Sequence, residues 1–484
     1  MGSIHTPHVT LDKTLADYFA EENFGTNERI ALVASYPTGI RLTNQRYIYH
    51  DEAILESNDT APNSNRAIES TTEGNILRAI GSQKFSICVG PMPLIIFDVE
   101  NASAGNLDAI DQFRASVKSN LEFLTPCQRP NPMFFGCPTQ IHLNDKFSKL
   151  AVRLPLDGMA NIPHLMDPDL HYEVLSKRGL AQSTITTPSC QILDLGTDAQ
   201  IYEQQLRYKQ IHCHGNPLLE KVVQKWKNDV KEAILTKPLP FVVKLQQTIF
   251  GKGTFIVKTS SDRAKLLFRL PAILQYNLSR TNVLNLHLRP ATFIVSDFVT
   301  CSANANISYA ITFFVKCDGT PEFICCVTQN MGEDNCWEGA SITFSDQDRL
   351  ERHFSKNIRD VASYIHSKGY FGTMGIDVLE DVQGTQWVVD MNVRPPGSLI
   401  LGLLKGFLSR DRGFNESQLI SILKTRKSKE EILEMFGNEV ANSSVIITAW
   451  YKDIETGINW TSFIISGDAK VDVQRLVEKL QILK

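Results

Sequence analysis

Two short apolar segments, Gly375 to Leu379 and Gln386 to Met391, restrict the fold of this chain more than any other part of it. Both read as strands, and Val382-Gln383-Gly384-Thr385 between them reads as their turn. Successive side chains of a strand alternate between faces, so Asp390 and Asn392 share a face while Val389 and Met391 take the other. A two-residue hairpin loop at Gln383-Gly384 places Asp377 directly opposite Asp390. Like charges directly opposite destabilise a sheet, and a bridging cation removes the conflict. Two carboxylates and an amide oxygen are hard donors, suited to Mg²⁺ or Mn²⁺ that also keeps waters or phosphate oxygens. Edge acids facing solvent would give the same pattern, so the rest of the chain has to decide between the two.

The flanking sequence supports a built site. Leu350, Phe354, Ile358, Val361 and Ile365 recur at helical spacing and predict an amphipathic helix from Asp346 to Lys368. Ser345 is its expected N-cap and Gly369 its stop. Past the second strand stands Arg394, followed by Pro395-Pro396-Gly397. A guanidinium there can fork onto a phosphate held by the same metal, although a surface ion pair would also account for it.

A second cluster lies upstream. Phe241-Val242-Val243 is a short strand ending in Lys244, and burying an ammonium without a partner is costly. A phosphate is a natural partner. Gly251, Lys252, Gly253 and Thr254 follow, then a returning strand, Phe255-Ile256-Val257. The glycines let backbone N–H groups approach phosphate oxygens. This is not a Gly-x4-Gly-Lys-Ser/Thr loop, and the same residues would serve as an ordinary hairpin tip. Ser260-Ser261-Asp262 caps a predicted helix to about Leu274. Asp297, Phe298 and Val299 end a strand from Ala291. They can offer backbone groups to an adenine edge, and a buried core strand explains them equally well.

The remainder bounds the answer. With 484 residues the chain has room for about three domains. The N-terminal part reads as α/β, with strands at Ile30–Ala34, Phe85–Val89 and Leu94–Val99 and a polar loop from Ser57 to Ser70. Helices are expected at Ile201–Lys209 and Leu218–Leu235, and the last 40 residues or so read as strand, turn, strand and helix. A net charge of −4 offers no field for a phosphate backbone, so nucleic acid is not an expected partner. No apolar stretch reaches the ~20 residues a membrane span needs, and no secretory h-region opens the chain. The start Met1-Gly2-Ser3-Ile4-His5-Thr6 matches the loose myristoylation pattern, which an ordinary start also satisfies. The ten cysteines have no C-x-x-C pair, which fits a reducing, cytoplasmic setting. His212, Cys213 and His214 look metal-like but lack a fourth ligand, and an ordinary surface segment explains them more simply.

Taken in order, these elements resemble the ATP-grasp superfamily over roughly residues 166 to 400. The most specific part is Gly375-Ile376-Asp377 followed by Val388-Val389-Asp390-Met391-Asn392-Val393-Arg394-Pro395, similar to the superfamily's signature of an acid and then acid-x-Asn. The stretch from Pro163, Pro-His-Leu-Met-Asp-Pro-Asp-Leu-His-Tyr, resembles filamentous-fungal members. The resemblance implies a mixed α/β (α+β) fold with two lobes gripping ATP, preceded by a Rossmann-like pre-ATP-grasp lobe. The expected division is residues 1–165 for that first lobe, 166–300 for the lid half and 301–484 for the metal-bearing half with its C-terminal extension. It further implies that Asp377, Asp390 and Asn392 hold Mg²⁺, that Lys244 reaches the α- and β-phosphates, that residues 251–254 cover the γ-phosphate and that residues 297–299 receive adenine.

The helix around Tyr172 to Leu180 resembles the one that opens the ATP-binding part. Two departures stand out. Pro168 occupies the place of the usual first phosphate-binding cation, leaving Lys177, Arg178 or His171 as substitutes. Thr300-Cys301-Ser302-Ala303-Asn304 lacks the usual ribose-binding acid. The implied activity is an ATP-dependent carboxylate–amine ligase joining a small carboxylic acid to an amine, amino acids being the natural candidates. A carboxylase, a phosphotransferase or a non-catalytic ATP-binding regulator on the same fold are the alternatives, and a homodimer is compatible with all of them.

Overall fold

The structure is a computed structural model that describes residues 8–22, 29–34, 36, 46–49, 64–99, 107–143, 146–195, 217–248, 253–282, 284–301, 308–332, 336–454 and 456–483, with backbone only at 64–73, 107 and 217–219. The expected helix at 201–209, the 212–214 cluster, Gly251, Lys252 and the first six residues lie outside that description.

Strands β1 (Ile30–Val33), β2 (Pro93–Phe97), β3 (Asn131–Phe135) and β4 (Lys149–Val152) form a parallel sheet in the order β3-β2-β1-β4. Parallel strands with crossover helices are covered on both faces, and all four residues of β1 are accordingly buried. The crossovers are the helices Ser64–Ile87 and Leu107–Leu121. This corrects two sequence expectations. Residues 64–70 are helical rather than loop, and Phe85–Val89 is the end of a helix rather than a strand. Phe85, Ile87, Cys88 and Val89 are all buried, and a short wholly apolar run has no period to separate a buried helix end from a strand.

The next sheet is antiparallel, in the order β5-β8-β6-β7, from β5 (Cys190–Leu193), β6 (Phe241–Leu245), β7 (Thr254–Val257) and β8 (Phe293–Asp297). Phe241, Val243, Leu245, Phe293 and Val295 on one face pack with Trp226, Ile234 and Leu270 from the helices Pro217–Thr236 and Ser260–Arg280. That leaves Val242 and Lys244 on the open face. The second helix is capped one residue earlier than expected, because the Thr259 hydroxyl accepts from the Asp262 N–H (3.1 Å). It also runs beyond Leu274, carrying Pro271 inside it.

Eight strands make the largest sheet: β9 (Tyr309–Val315), β10 (Pro321–Met331), β11 (Trp337–Thr343), β12 (Gly372–Glu380), β13 (Gln386–Asn392), β14 (Glu416–Thr425), β15 (Val445–Lys452) and β16 (Asn459–Gly467). Their order is β13-β12-β9-β10-β11-β14-β16-β15, so the C-terminal segment continues the sheet that carries the acids. The helix Gln347–Ser367 presses its predicted stripe onto Ile311, Phe313, Ile376 and Val388. Its N-cap is Asp346 rather than Ser345, since a 3₁₀ turn, Phe344–Asp346, leads into it and the Ser345 N–H goes to Asn415 Oδ1 (3.0 Å).

The far edge strand β15 is sealed by the first lobe. Gln83 Nε2 donates to the Trp450 carbonyl (2.8 Å) while its Oε1 accepts from the Trp450 N–H (3.0 Å). Ser116 Oγ donates to the same carbonyl (2.5 Å) and Asn120 Nδ2 to that of Thr448 (2.7 Å). Among the described residues no helix is long and apolar enough to cross a membrane.

Phe354 is fully buried and meets Tyr309 at 5.1 Å between ring centroids. Phe354→Ala is expected to cost about 3–5 kcal/mol in urea unfolding. An unmoved midpoint would mean that the helix does not support the acid-bearing sheet.

Candidate active site

Asp377 and Asp390 are direct cross-strand partners, as the sequence predicts, but the hairpin reaches that register differently. The loop is Asp381–Thr385 rather than two residues, with Glu380 opposite Gln386 and Gly384 at φ 82°. The Asp381 carboxylate pins it, accepting from the N–H groups of Gln383 (2.9 Å) and Thr385 (2.8 Å) and from Trp387 Nε1 (2.8 Å). An aspartate opening a turn in this way was the legible signal. Val388 then faces Val378, Asp390 faces Asp377, and Val389 is left over as a bulge. A bulged residue is released from the ladder, and the Val389 carbonyl accepts from Lys244 Nζ at 2.7 Å.

The helix expected at Tyr172–Leu180 is two helices, Pro168–Val174 and Lys177–Ala181. Ser176 divides them because its hydroxyl caps the second by accepting from the Gly179 N–H (2.8 Å). The break turns Lys177 inward, where its ammonium pairs with the Asp390 carboxylate. Arg178 turns away to Asp194 (3.0 Å). His171 is buried, and burial pushes its pKa down to about 4. Its Nε2–H therefore donates to the Val393 carbonyl (2.6 Å) and steadies the strand end. Of the three substitute cations, Lys177 is the one brought to the acids.

The charges are interlocked. Burial, and then the neighbouring Asp390 charge, together raise the Asp377 carboxyl to about 7 against a hydrogen bond from Gln329. Burial acts the same way on Asp390, but Lys177, then Lys244 and Arg394, outweigh it and hold that carboxyl below its usual range. Lys244 is pulled down to about 8 by burial and by Lys177. Arg394 Nη2 donates to Asn392 Oδ1 (2.9 Å), and its buried Nε has no partner among the described residues. Two carboxylates and an amide oxygen on one sheet face, set among three cations, suit a divalent cation that takes its remaining ligands from phosphate and water. The donor set therefore fits Mg²⁺ or Mn²⁺.

The remaining candidates are placed more loosely. Gly253 (φ 75°) gives its carbonyl to the Leu245 N–H (3.0 Å), and Thr254 pairs with Lys244, so both close the β6–β7 hairpin. Asp297 is exposed and paired with Lys237 (2.5 Å), and its N–H is taken by the Ser189 carbonyl (2.8 Å). Phe298 is half-buried under Lys258 and Val299 is buried.

Arg153, which sequence reasoning passed over, follows β4 at the carboxyl edge of the parallel sheet. It is only 7% exposed and touches the Tyr36 hydroxyl, yet its Nε has no partner and no carboxylate pairs with it among the described residues. Burial, then Arg394, hold its pKa well below the usual value. It lines a cavity of about 30 Å³ with His171, Tyr370 and Pro395.

A four-stranded antiparallel sheet beside an acid-bearing antiparallel sheet, behind a parallel α/β lobe, is the ATP-grasp fold with its pre-ATP-grasp lobe. Over 95% of this chain and 99% of its own, N5-carboxyaminoimidazole synthetase from Staphylococcus aureus, solved with ADP, matches with a TM-score of 0.50 at 9% identity. The Aspergillus clavatus carboxyaminoimidazole ribonucleotide synthase solved with ATP matches less well, at 0.46 and 10% identity over 95% of this chain and 100% of its own. Biotin carboxylase from Campylobacter jejuni reaches 0.43 at 8% identity, over 94% and 90%. No protein-family profile and no curated protein sequence matches this chain.

Asp390→Asn leaves Lys177 without its anion and one acid among three cations. Ligand-free stability is expected to fall by about 1.5–3 kcal/mol in urea unfolding. Mn²⁺ affinity, read by paramagnetic resonance with nucleotide present, should drop at least about tenfold. A rise in stability would mean that repulsion between the two aspartates dominates instead.

Proposed function

We propose that this protein is an ADP-forming carboxylate–amine ligase that uses ATP and Mg²⁺. The observation that carries the reading is the Asp377–Asp390 pair with Asn392, enclosed by Lys177, Lys244 and Arg394 on an ATP-grasp fold. In this reading Lys177 and Lys244 take the α- and β-phosphate oxygens. Arg394, with a donor to spare, reaches the transferring phosphoryl group. Asp377, Asp390 and Asn392 would hold the metal, which would neutralise the charge that builds on the phosphates. Residues 251–254 would cover the γ-phosphate and residues 297–299 would receive adenine, through the groups of Phe298 and Val299 that remain.

The acid comes from the side of the first lobe. A buried guanidinium without an anion is costly, and among the described residues Arg153, beside Arg394, is such a group. A substrate carboxylate supplies the missing charge and is set near the phosphates. Its oxygen attacks the γ-phosphorus, the bond to the β-phosphate oxygen breaks, and ADP leaves. The amine then attacks the acyl carbon, releases phosphate and gives up a proton, leaving an amide. Electrostatic positioning carries the reaction, so no Ser or Cys nucleophile is required. Amino acids are the candidate substrates.

Hydroxylamine intercepts acylphosphates. With a panel of amino and hydroxy acids, ATP and Mg²⁺ but no amine, a ligase gives a hydroxamate and an equal amount of ADP. A carboxylase would need bicarbonate, and a phosphotransferase would leave a stable phosphorylated product. Intact ATP, bound tightly across the whole panel, would identify a regulatory protein and end the ligase reading.

Arg153→Met separates substrate binding from structure. It should raise KM for the acid at least about tenfold, about 1.4 kcal/mol, with kcat little changed and ligand-free stability unchanged or raised, because a costly buried charge is removed. Lost stability with unchanged KM would make Arg153 a structural residue.

A further inference from the structure

A cavity of about 310 Å³ lies between the first lobe and the C-terminal part of the eight-stranded sheet. Its walls come from the helix Leu107–Leu121 and the residues after it, from the helix Lys429–Met435 and from β15. β15 and the acid-bearing β13 are opposite edges of that sheet. Seven inter-strand steps of about 4.8 Å separate them by roughly 34 Å, so this cavity is no part of the nucleotide cleft.

The lining is sorted by chemistry. Leu433, Val440, Val445 and Ile447 make an apolar wall, while Lys429 and Glu122 stand at the rim. Lys429 is half-buried and forms no ion pair among the described residues, and burial lowers its pKa against the pull of Glu430 and Glu122. Inside the cavity, Ser443 is 1% exposed and its hydroxyl has no hydrogen-bond partner among the described residues. A buried hydroxyl left unsatisfied costs about 1–3 kcal/mol, and a ligand polar group that meets it on rotation of the Ser443 side chain would recover that cost.

We propose that this cavity is a second ligand site, and that it takes an apolar α-amino acid. The carboxylate would lie between the Lys429 ammonium and the Ser443 hydroxyl. The ammonium would face the Glu122 carboxylate, and a branched or aromatic side chain would fill the apolar wall. Opposite charges at one rim with apolar walls below match a zwitterion that has an apolar tail better than they match a simple anion or amine. A bound ligand joins the first lobe to the C-terminal extension, and no covalent step is involved.

The test is calorimetry on the full chain with four probes: L-leucine, L-phenylalanine, 4-methylpentanoate, which lacks the amine, and isoamylamine, which lacks the carboxylate. One amino acid should bind per chain, with both truncated probes at least about tenfold weaker. Lys429→Met should weaken the amino acid by a similar factor. Ser443→Gly should do the same, and it is compatible with the backbone because Ser443 already sits at φ 68°. Leu433→Trp, which fills the cavity, should abolish binding. No heat from either amino acid at about ten millimolar would overturn the proposal. So would wild-type binding in both Lys429→Met and Leu433→Trp, or 4-methylpentanoate binding as tightly as leucine.

Discussion

Two carboxylates held face to face across one ladder set the terms for the rest of this molecule. Asp377 and Asp390 repel, and the surroundings are arranged so that the repulsion is contained rather than relieved by moving apart. Lys177 is delivered by a helix that exists only because Ser176 interrupts the preceding one. Lys244 is anchored on the carbonyl that the Val389 bulge sets free. Arg394 is braced through Asn392, and the strand end beneath it is held by a neutral His171. Three cations from three different parts of the chain converge on two acids, which concentrates charge of both signs in one cleft.

Much of this was legible beforehand. The alternation in Asp390-Met391-Asn392, the helical stripe of Leu350 to Ile365 and the strand ending at Lys244 each follow from a period and a charge, and the structure has all three. The Asp377–Asp390 pairing was also foreseen, although for an incomplete reason. A five-residue loop and a one-residue bulge give the same pairing at the acids as a two-residue loop and no bulge. Pattern reasoning sees the side chains that must share a face and not the backbone accounting that brings them there.

What stayed hidden is mostly non-local. Nothing near Arg153 in the sequence indicates that its guanidinium is buried without an anion among the described residues, because that depends on Tyr36, Arg394 and Tyr370 arriving from elsewhere. The choice of Lys177 over Arg178 and His171 turned on a helix break too short to show in any period. The run at Phe85–Val89 misled because burial on all sides erases the distinction between helix and strand.

The amide of Gln83, clasping Trp450 from both its N–H and its carbonyl, spans 367 positions of sequence. On a ribosome the helix that bears Gln83 is complete long before its partner strand has been synthesised. The first lobe must therefore wait with that face uncovered, and the large sheet cannot finish its outer edge until nearly the whole chain is out. Assembly of this protein is thus ordered in time: two of its early helices are closed over by one of its last strands, and a chain truncated before residue 445 would leave both surfaces open to other molecules.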